Sequence, residues 1–555
     1  MNTQIEQLMK QAAKLGEDKR PWDTLQQEIA VNCYPLRASF VSPLVFDGNF
    51  ANLLMDSMPV NAREELGNTI DAMLRQGPAW FKVGTGDDDR DNDTENARVL
   101  ERASMMLRRL IDDPRMQFKT ATKEADHDYV AFGQPLLTVE ENQSRTHPMV
   151  RAWNPADACW AYDEDGEHAV VYRKVNIPAQ TVMAYTTRGR WNGAASREVA
   201  AIAETSPYQR VPLLHCIIKT EDLYGSEGRK MREYARSPYL SIYIDCLGKE
   251  KLHERGEPMD PYLTPRWRSL SGHTYGFSPA GMNSLPDMRM LQMLSMIILE
   301  QGEKGLDPPM IGAAEVFTRE MNLYSGGMTY VDLPDDRSLQ DMMTTLNTSQ
   351  GLNDGLTLKQ DLRSTLMDAW LLNKLYLPRI GDMRELEVAT RNEEFRRAAL
   401  PFFQPIDTDY HPKLLGKVFD RSVIMSLIPR EMFPASLGGS DIKFTFNSPL
   451  NEVEGKKVLE AYGQAVQAIA AGTQVDETIG MLFNMKQATT DAVKGAGAKA
   501  SWIFSGREME EREAQANQAQ QLAQASQIIN QGAATTQNVA AAKQAAEVTG
   551  LDQAM

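Results

Sequence analysis

Long hydrophobic runs are missing from this chain of 555 residues. The longest apolar stretch, Met290 to Leu299, is interrupted by Gln292 and Ser295, whereas a membrane-spanning helix needs about 20 predominantly apolar residues. The N-terminus, MNTQIEQLMKQAAKLGEDKR, has no basic start followed by an apolar core. It therefore predicts a surface amphipathic helix and not a signal peptide, and the whole sequence predicts a soluble protein without a membrane association.

Cysteine and histidine are also scarce, with four and seven copies. The cysteines have no C-x-x-C spacing and the histidines have no ligand spacing, which favours free thiols in a reducing compartment and predicts no cofactor. The acidic run Gly84 to Asn96 invites comparison with a calcium loop. If Asp87 is position 1, however, Asn92 and Arg98 stand where that loop requires Gly and Glu, so a solvated acidic loop is favoured over a metal site.

Basic residues are outnumbered, with 59 Lys and Arg against 75 Asp and Glu and a formal net charge of −16. Phosphate binding depends on clustered Lys and Arg, so any contact with nucleic acid must be local. No G-x-x-x-x-G-K-[ST] motif of an ATPase occurs. The stretch around Ser278 is not a nucleophile elbow, and HERGE at His253 is not H-E-x-x-H. These absences predict that the chain is not an enzyme.

The patterns that are present predict an α+β fold that is mainly α. The chain is too long for one core, so two or more packed units are expected. Short strand patterns between Gly77 and Thr274, with a hairpin at Asp165-Gly166, predict an antiparallel α+β unit. GPAWFKV and DIKFTF predict two further strands, and helical periodicity predominates elsewhere.

The most informative segment is Tyr275 to Gly305, where a turn-rich loop leads into a helix that is apolar on nearly every side. Ser284 and Asp287 have the spacing of a capping box, which predicts the start of this helix. Because no continuous polar stripe is left, the helix must be covered by a large body or by other subunits, and its methionines favour a subunit seam. The candidates for subunit contact are Met288, Leu291, Leu294 and Ile298.

A second long helix is predicted at about 353–375, after an insert rich in Pro and Gly. A segment broken by Pro378 and Gly381 follows, and then a third long helix at about 384–400, which Pro401 should bend or end. From Arg512 onward Ala and Gln predominate, a composition that supports helix but cannot bury a core alone. This tail is either a frayed segment or one helix of a helical barrel to which several subunits contribute.

Three segments, in this order, resemble the head-to-tail connector (portal) proteins of short-tailed, T7-like bacteriophages of the podovirus type. They are YGFSPAG…LPDMRMLQ, RELEVATRNEEFRRAALPFF and SPLNEVEGKKVLEAYGQAVQAI. The resemblance runs from about Trp22 to about Gln521, and the ordered set carries it. It implies a ring, usually of twelve copies, through which double-stranded DNA enters and leaves the capsid.

The resemblance also implies a division of the chain. The implied parts are a wing at 1–283 and 386–440, stem helices at 284–305 and 351–375, a clip at 306–350, a tunnel loop at 376–385, a crown at 441–512 and a barrel helix or tail at 513–555. Lys374, Arg379 and Arg384 lie beside the implied tunnel loop and are candidates for DNA contact in the channel. Solvated cations or salt bridges between subunits are an equally open interpretation of each.

The implied partners are a homo-oligomer, expected to be a dodecamer, double-stranded DNA in the channel, terminase, a tail adaptor, and the major capsid and scaffolding proteins. The implied location is the head–tail junction of the virion, after assembly in the host cytoplasm. The alternative from another class is an intracellular helical scaffold or adaptor without DNA in its centre. A ring with a central hole would distinguish the first interpretation from the second.

Overall fold

The structure is a computed structural model of the chain. It describes residues 2–43, 54–75, 77, 80–87, 90–91, 93–142, 144–225, 234, 237–306, 310–312, 343–345, 352–375, 397, 400–434, 437, 442–446, 461–470, 488–489, 492–493, 509, 512 and 514–518. This part is mainly helical and contains several antiparallel sheets. The chain divides into two compact units, Met1–Trp80 with Leu107–Ile428, and Phe81–Met106 with Pro429–Met555.

The helices are numbered here in chain order. They are α1 (Asn2–Cys33), α2 (Met58–Leu74), α3 (Thr94–Asp112), α4 (Phe118–Phe132), α5 (Ala179–Thr187), α6 (Arg197–Thr205), α7 (Thr220–Tyr224), α8 (Pro279–Asn283), α9 (Leu285–Leu306), α10 (Leu352–Ala369), α11 (Leu372–Leu375) and α12 (His411–Ile424). Within the described ranges, none of them combines the length and the apolar content needed to cross a bilayer.

The strands are numbered in the same way. They are β1 (Phe81–Gly84), β2 (Leu136–Glu141), β3 (Pro148–Trp153), β4 (Ala158–Tyr162), β5 (His168–Pro178), β6 (Arg210–Lys219), β7 (Tyr239–Asp245), β8 (Glu250–Glu257), β9 (Tyr262–Leu263), β10 (Met310–Gly312), β11 (Met343–Thr345) and β12 (Lys443–Phe446). Short 3₁₀ turns lie at Pro35–Arg37, Pro114–Met116, Pro155–Asp157 and Arg430–Met432.

Antiparallel sheets form the β part of the first unit, as the sequence predicted. One sheet has the order β4-β5-β6-β7-β8, and a smaller one has the order β3-β2-β9. The predicted hairpin joins β4 to β5, with Ala158 paired to Arg173 and Tyr162 to His168. Gly166 in its turn has φ +79°, a left-handed conformation that glycine adopts without strain. This hairpin prediction is confirmed.

Helix α1 is one continuous element of 32 residues. It passes through Pro21, although a proline inside a helix removes one backbone hydrogen bond and crowds the preceding turn. Contacts on both sides hold it. Lys19 Nζ donates to the carbonyl of Pro155 at 2.6 Å, and Trp22 Nε1 donates to the carbonyl of Gly276 at 2.8 Å. Tertiary contacts therefore override the local break.

The predicted apolar face of α1 packs on the five-stranded sheet. Ile5 and Leu8 are buried in a core cluster with side chains of β5, β6 and β7, among them Cys216 and Ile242. Ala12 and Leu15 are half-buried against the same cluster. The i, i+3, i+7 spacing read from the sequence is thus the face that docks.

Helix α4 carries two fully buried carboxylates, Asp126 and Asp128. The guanidinium of Arg75 binds Asp126 through two hydrogen bonds of 2.5 and 2.9 Å. Arg37 binds Asp128 through bonds of 3.0 and 2.9 Å. A buried carboxylate without a partner lowers the stability of the fold by several kcal/mol. The two ion pairs therefore hold Arg75, the residue after α2, and Arg37, in the 3₁₀ turn Pro35–Arg37, against α4.

The second unit joins segments that are far apart in the sequence. Strand β1 pairs antiparallel with β12, with Phe81 opposite Phe446 and Gly84 opposite Lys443. Both strands were predicted, but not their pairing. In the acidic run, the carboxylate of Asp91 accepts hydrogen bonds from the backbone N–H and the hydroxyl of Thr85 at 2.9 and 2.6 Å.

Two helix ends differ from the sequence prediction. The helix predicted at 353–375 is interrupted at Leu371, whose φ of 60° is left-handed. Trp370 and Leu372 on either side are buried, and their burial outweighs the local cost of this conformation. Pro401 does not end a helix, because residues 400–405 are helical and a π-helical segment, Ile406–Tyr410, leads into α12. The third predicted helix, at 384–400, lies outside the described residues except for 397 and 400.

Substituting Leu8 tests the docking of α1. Leu8→Ala removes a buried side chain from the cluster on the sheet and should lower the free energy of unfolding by about 2 to 4 kcal/mol. Urea denaturation followed by circular dichroism measures this loss. Gln7→Ala, on the exposed side of the same turn, should change stability by less than about 0.5 kcal/mol. Equal effects of the two changes would show that α1 does not dock through this face.

Candidate functional site

Helices α9 and α10 pack against each other and are called the helix pair below. At Gly355 of α10 an added Cβ would lie 3.4 Å from Cγ1 of Ile298, so the two helices approach closely there. Beyond the pair, β10 and β11 pair antiparallel, with Met310 opposite Thr345. The segment predicted as an insert between two long helices therefore begins and ends on paired strands; the rest of it lies outside the described residues.

The start of the helix pair is organised by Ser278 and not by the predicted capping box. The Ser278 hydroxyl accepts a hydrogen bond from the N–H of Gly281 at 2.9 Å and caps α8. The hydroxyl of Ser284 donates to the carbonyl of Ala280 at 2.5 Å, so it serves the preceding turn. Proline at position 279 and the Ser278 cap are the local signals that start this helical region.

One face of α9 is buried within the chain itself. Met288 and Leu291 are fully buried, and Ser295 is nearly so. These residues follow the i, i+3, i+7 spacing of a single helix face. Leu294 and Ile298, at the edge of this face, are half-buried.

The opposite face of α9 is apolar and exposed. Met293 is 67% exposed, and Met290 and Ile297 lie on the same side. Met296 is also exposed, as is Leu299, which lies one turn after Ser295 on the side that is buried earlier in the helix. On α10 the exposed apolar side chains are Leu356, Leu358 and Met367. These eight residues are called the exposed apolar face. The sequence contains thirty methionines, and several of them lie on α9. Their number does not show which side of the helix is buried and which is exposed, whereas the structure does.

The sequence-based candidates for subunit contact divide accordingly. Met288 and Leu291 have no surface left for a second subunit, because α9 buries them inside its own chain. Leu294 and Ile298 keep part of their surface. The apolar residues of a helix that is apolar all round do not show which side its own chain covers. The assignment of this helix to a subunit contact stays a prediction, and the exposed apolar face offers its accessible residues.

The carboxylate of Asp56 anchors the helix pair to α2. It accepts hydrogen bonds from the N–H of Met58 at 2.9 Å and from Nη2 of Arg363 at 2.8 Å, and Nζ of Lys359 lies 3.0 Å away. The amide of Gln292 on α9 donates to the backbone carbonyl of Asp56 at 2.8 Å. One buried residue thus contacts α2, α9 and α10 together.

These contacts also determine the charge state of Asp56. Burial disfavours its charged form, but the hydrogen bonds from Met58, Lys359 and Arg363 hold the pKa of this carboxyl below its ordinary value. The contribution to stability is therefore present above the pKa of the unfolded chain, about 3.9, and is lost as the pH falls through the lower folded pKa. Asp56 is ionised at neutral pH.

A cavity of 430 Å³ elsewhere in the first unit contains a second polar cluster. His168 Nδ1 and Asp260 Oδ2 are 2.7 Å apart, His168 Nε2 and Thr264 Oγ1 are 2.7 Å apart, and Lys417 Nζ donates to Asp260 at 3.0 Å. Burial opposes ionisation, yet Lys417 and His168 hold the pKa of Asp260 well below its usual range. The cluster ties α12 to the loop before β9. Among the described residues, no three His, Cys, Asp or Glu side chains are placed to hold a metal ion.

The candidates for DNA contact lie at the edge of what the structure describes. Lys374 belongs to α11, just after the left-handed turn at Leu371. Arg379 and Arg384 fall outside the described residues. Their role in a channel stays a prediction.

The chain matches a known protein family over most of its length. The family described as "Bacteriophage head to tail connecting protein" matches residues 5–503. Two curated relatives, both from bacteriophages, are similar over most of the chain. The "Probable portal protein" of Bordetella phage BPP-1 is 23% identical over 68% of this chain and 66% of its own length. The "Portal protein" of Salmonella phage epsilon15 is 24% identical over 61% of each chain.

A chain of the solved structure titled "Neck of empty GTA particle computed with C6 symmetry" aligns over 78% of this chain and 93% of its own length. Its identity is 11% and its TM-score is 0.31, which is too low to define a shared fold. The alignments with both curated relatives span less than two thirds of those proteins. The family match spans nearly the whole chain, which therefore belongs to the bacteriophage head-to-tail connecting proteins.

Removing the charge of Asp56 tests the anchor. Asp56→Asn keeps the size of the side chain but weakens its bonds to Lys359 and Arg363, so the free energy of unfolding at pH 7 should fall by about 2 kcal/mol. The difference between the variant and the wild type should shrink as the pH falls through the lowered folded pKa of Asp56, because the wild-type carboxyl then becomes protonated as well.

Denaturation at pH 7 and at a series of lower pH values measures this trend. Asp361→Asn, on the exposed side of α10, is the matched control and should change stability little at any of them. A loss of stability for Asp56→Asn that stays constant down to the lowest pH at which the protein is folded would contradict an ionised anchor.

Proposed function

We propose that this chain is a portal protein. Copies of it form a closed ring at one vertex of a phage capsid, and double-stranded DNA is packaged and ejected through the ring. The observation that carries the proposal is the exposed apolar face on a helix pair of a head-to-tail connecting protein. The names of the two curated relatives support the same function.

The exposed apolar face gives the physical reason for assembly. Eight methionine, leucine and isoleucine side chains lie exposed on two adjacent helices, whereas scattered single residues are normal on a protein surface. We propose that a neighbouring copy covers these side chains, and a copy that contacts them with a different surface makes a head-to-tail interface. Such an interface produces a ring when its rotation closes. Twelve copies are the number that the family resemblance implies.

The charge of the chain suits a conduit for DNA. Each copy carries a formal net charge of −16, and a ring multiplies that charge by its copy number. A strongly acidic body repels phosphates, so DNA passes without being held, while a few cations at the narrowest point guide it. Lys374, Arg379 and Arg384 are proposed for that point.

Further partners are proposed from the family resemblance and from the position of the insert. The segment at 306–350, carried between the two helices of the pair, is proposed to bind terminase during packaging and a tail adaptor afterwards. The body of the ring is proposed to contact the major capsid protein and the scaffolding protein. In this account the chain supplies a structure and catalyses no reaction.

Introducing a charge into the exposed apolar face tests ring assembly. Met293→Asp should leave the fold of the isolated chain intact, because Met293 is 67% exposed there. It should block the ring, because an unpaired carboxylate would be buried in a dry contact between copies. Light scattering of the purified variant at micromolar concentration measures the assembly, and circular dichroism checks the fold.

The matched control is Met105→Asp, the same substitution at an exposed methionine of α3. It should assemble like the wild type. If Met293→Asp forms rings as readily as the control, the exposed apolar face does not hold the ring together. If the wild type itself stays a monomer under several salt conditions, the adaptor interpretation replaces the portal.

Removing the three candidate cations tests the DNA channel. The triple change of Lys374, Arg379 and Arg384 to Ala should leave the ring intact, because the proposed channel is filled with water and cations facing water contribute only about 0 to 1 kcal/mol each to stability. It should alter DNA packaging or retention, because each lost phosphate contact lowers the salt slope by about one and the change is repeated around the ring.

DNA retained by the particles across a salt series measures this effect. Three exposed cations of α1, Lys10, Lys14 and Arg20, changed to Ala together, provide a control with the same change in charge. Normal retention by the triple variant at every salt concentration would show that these residues do not act on DNA.

A further inference from the structure

A small cavity in the first unit collects arginines from four separate elements. Its volume is 220 Å³. The arginines that line it are Arg145 in the turn after β2, Arg190 after α5, Arg255 on β8 and Arg421 on α12. Glu140, Glu141 and Glu257 line it too. The portal function proposed above assigns no role to this cavity.

Two of the glutamates are already engaged by two of the arginines. Glu141 accepts a hydrogen bond from Nη2 of Arg255 at 3.0 Å and lies 3.5 Å from Nη1 of Arg421. Glu257 lies 3.2 Å from Nη1 of Arg421 and 3.5 Å from Nε of Arg255. This ion-pair cluster holds α12 against β2 and β8, and it leaves Arg145 and Arg190 as the less engaged cations.

The mouth of the cavity is positively charged. Arg145 is 67% exposed and lies 3.6 Å from Glu141. The guanidinium of Arg190 lies 4.4 Å above the ring of Tyr185, and within the described ranges no carboxylate forms an ion pair with it. Burial lowers the pKa of His253, and Arg255, Arg190 and Arg145 lower it further. Three guanidinium groups therefore act together on the region around His253.

The wall of the cavity is aromatic and uncharged. The ring of Tyr243 stacks on Trp191 at 5.3 Å and on His215 at 4.3 Å. Both ring nitrogens of His215 are occupied, by the hydroxyls of Tyr262 and Ser241 at 2.7 and 2.9 Å. Burial lowers the pKa of His215 well below its ordinary value, so it is neutral near pH 7. The charged groups of the lining are then the four arginines and the three glutamates, Glu140 included, so the cations exceed the carboxylates by one.

We propose that this cavity binds one phosphate group. Planar guanidinium groups bind phosphate oxygens through paired hydrogen bonds, and four of them converge here. The volume is below the range of about 300 to 1,000 Å³ that is usual for larger organic ligands, which favours a small anion. The phosphate has two chemical sources, free inorganic phosphate or the backbone of DNA.

Binding to the purified chain tests the proposal. Inorganic phosphate should bind with saturation at one site per chain in equilibrium dialysis, against chloride of the same ionic strength. Arg190→Gln should weaken this binding about tenfold, because it removes a charge-assisted contact without disturbing the ion pairs of Arg421 and Arg255. Arg188→Gln changes an exposed arginine two residues away that does not line the cavity, and it should bind as the wild type does.

A short DNA duplex forms the second arm, with fluorescence anisotropy as the measurement. Saturable binding of inorganic phosphate that depends on Arg190 and not on Arg188 supports a free anion. DNA binding with the same dependence, without saturable binding of free phosphate, supports the backbone as the source. No binding in either arm, or equal losses for the two variants, overturns the proposal. Ring formation is measured separately, so failure here leaves the portal function untouched.

Discussion

The carboxylate of Asp56 is the constraint on which the helix pair depends. It is buried between α2, α9 and α10, and a buried carboxylate needs charged and hydrogen-bonded partners in good geometry. Lys359 and Arg363 supply the charge, while Gln292 binds the adjacent backbone. Gln292 on α9 and Lys359 and Arg363 on α10 therefore fix which side of each helix faces Asp56. The apolar side chains on the other sides of the two helices stay exposed.

The position of the exposed apolar face explains how an acidic chain can assemble. Copies that each carry a formal charge of −16 repel one another, and the repulsion grows with every copy added to a ring. Burial of apolar surface contributes about 25 cal/mol per Å² and depends little on charge, so it can outweigh that repulsion. In the proposed ring, methionine, leucine and isoleucine side chains would therefore supply the attraction between copies.

Sequence patterns predicted local elements well, because spacing along a helix or strand is a local property. The apolar face of α1 and the hairpin at Asp165-Gly166 both follow from it. Partners in space were not predictable in this way. Asp56 lies more than two hundred residues before Gln292 and Lys359, and β1 pairs with a strand near residue 445.

The inner face of α9 shows the same limit at a single helix. Its apolar residues surround the axis, so hydrophobicity alone does not distinguish Met288, which is buried, from Met293, which is exposed. The two polar residues that interrupt the run, Gln292 and Ser295, were the only local signal of the inner side, since both face Asp56. The channel residues depend on how subunits are arranged, and a single chain does not contain that information.

Electron microscopy of the purified protein tests the central claim most directly. The account predicts closed rings with a central opening wide enough for a DNA duplex, in which the exposed apolar face of each copy contacts a different surface of its neighbour. Uniform monomers, or assemblies without a central opening, would contradict it.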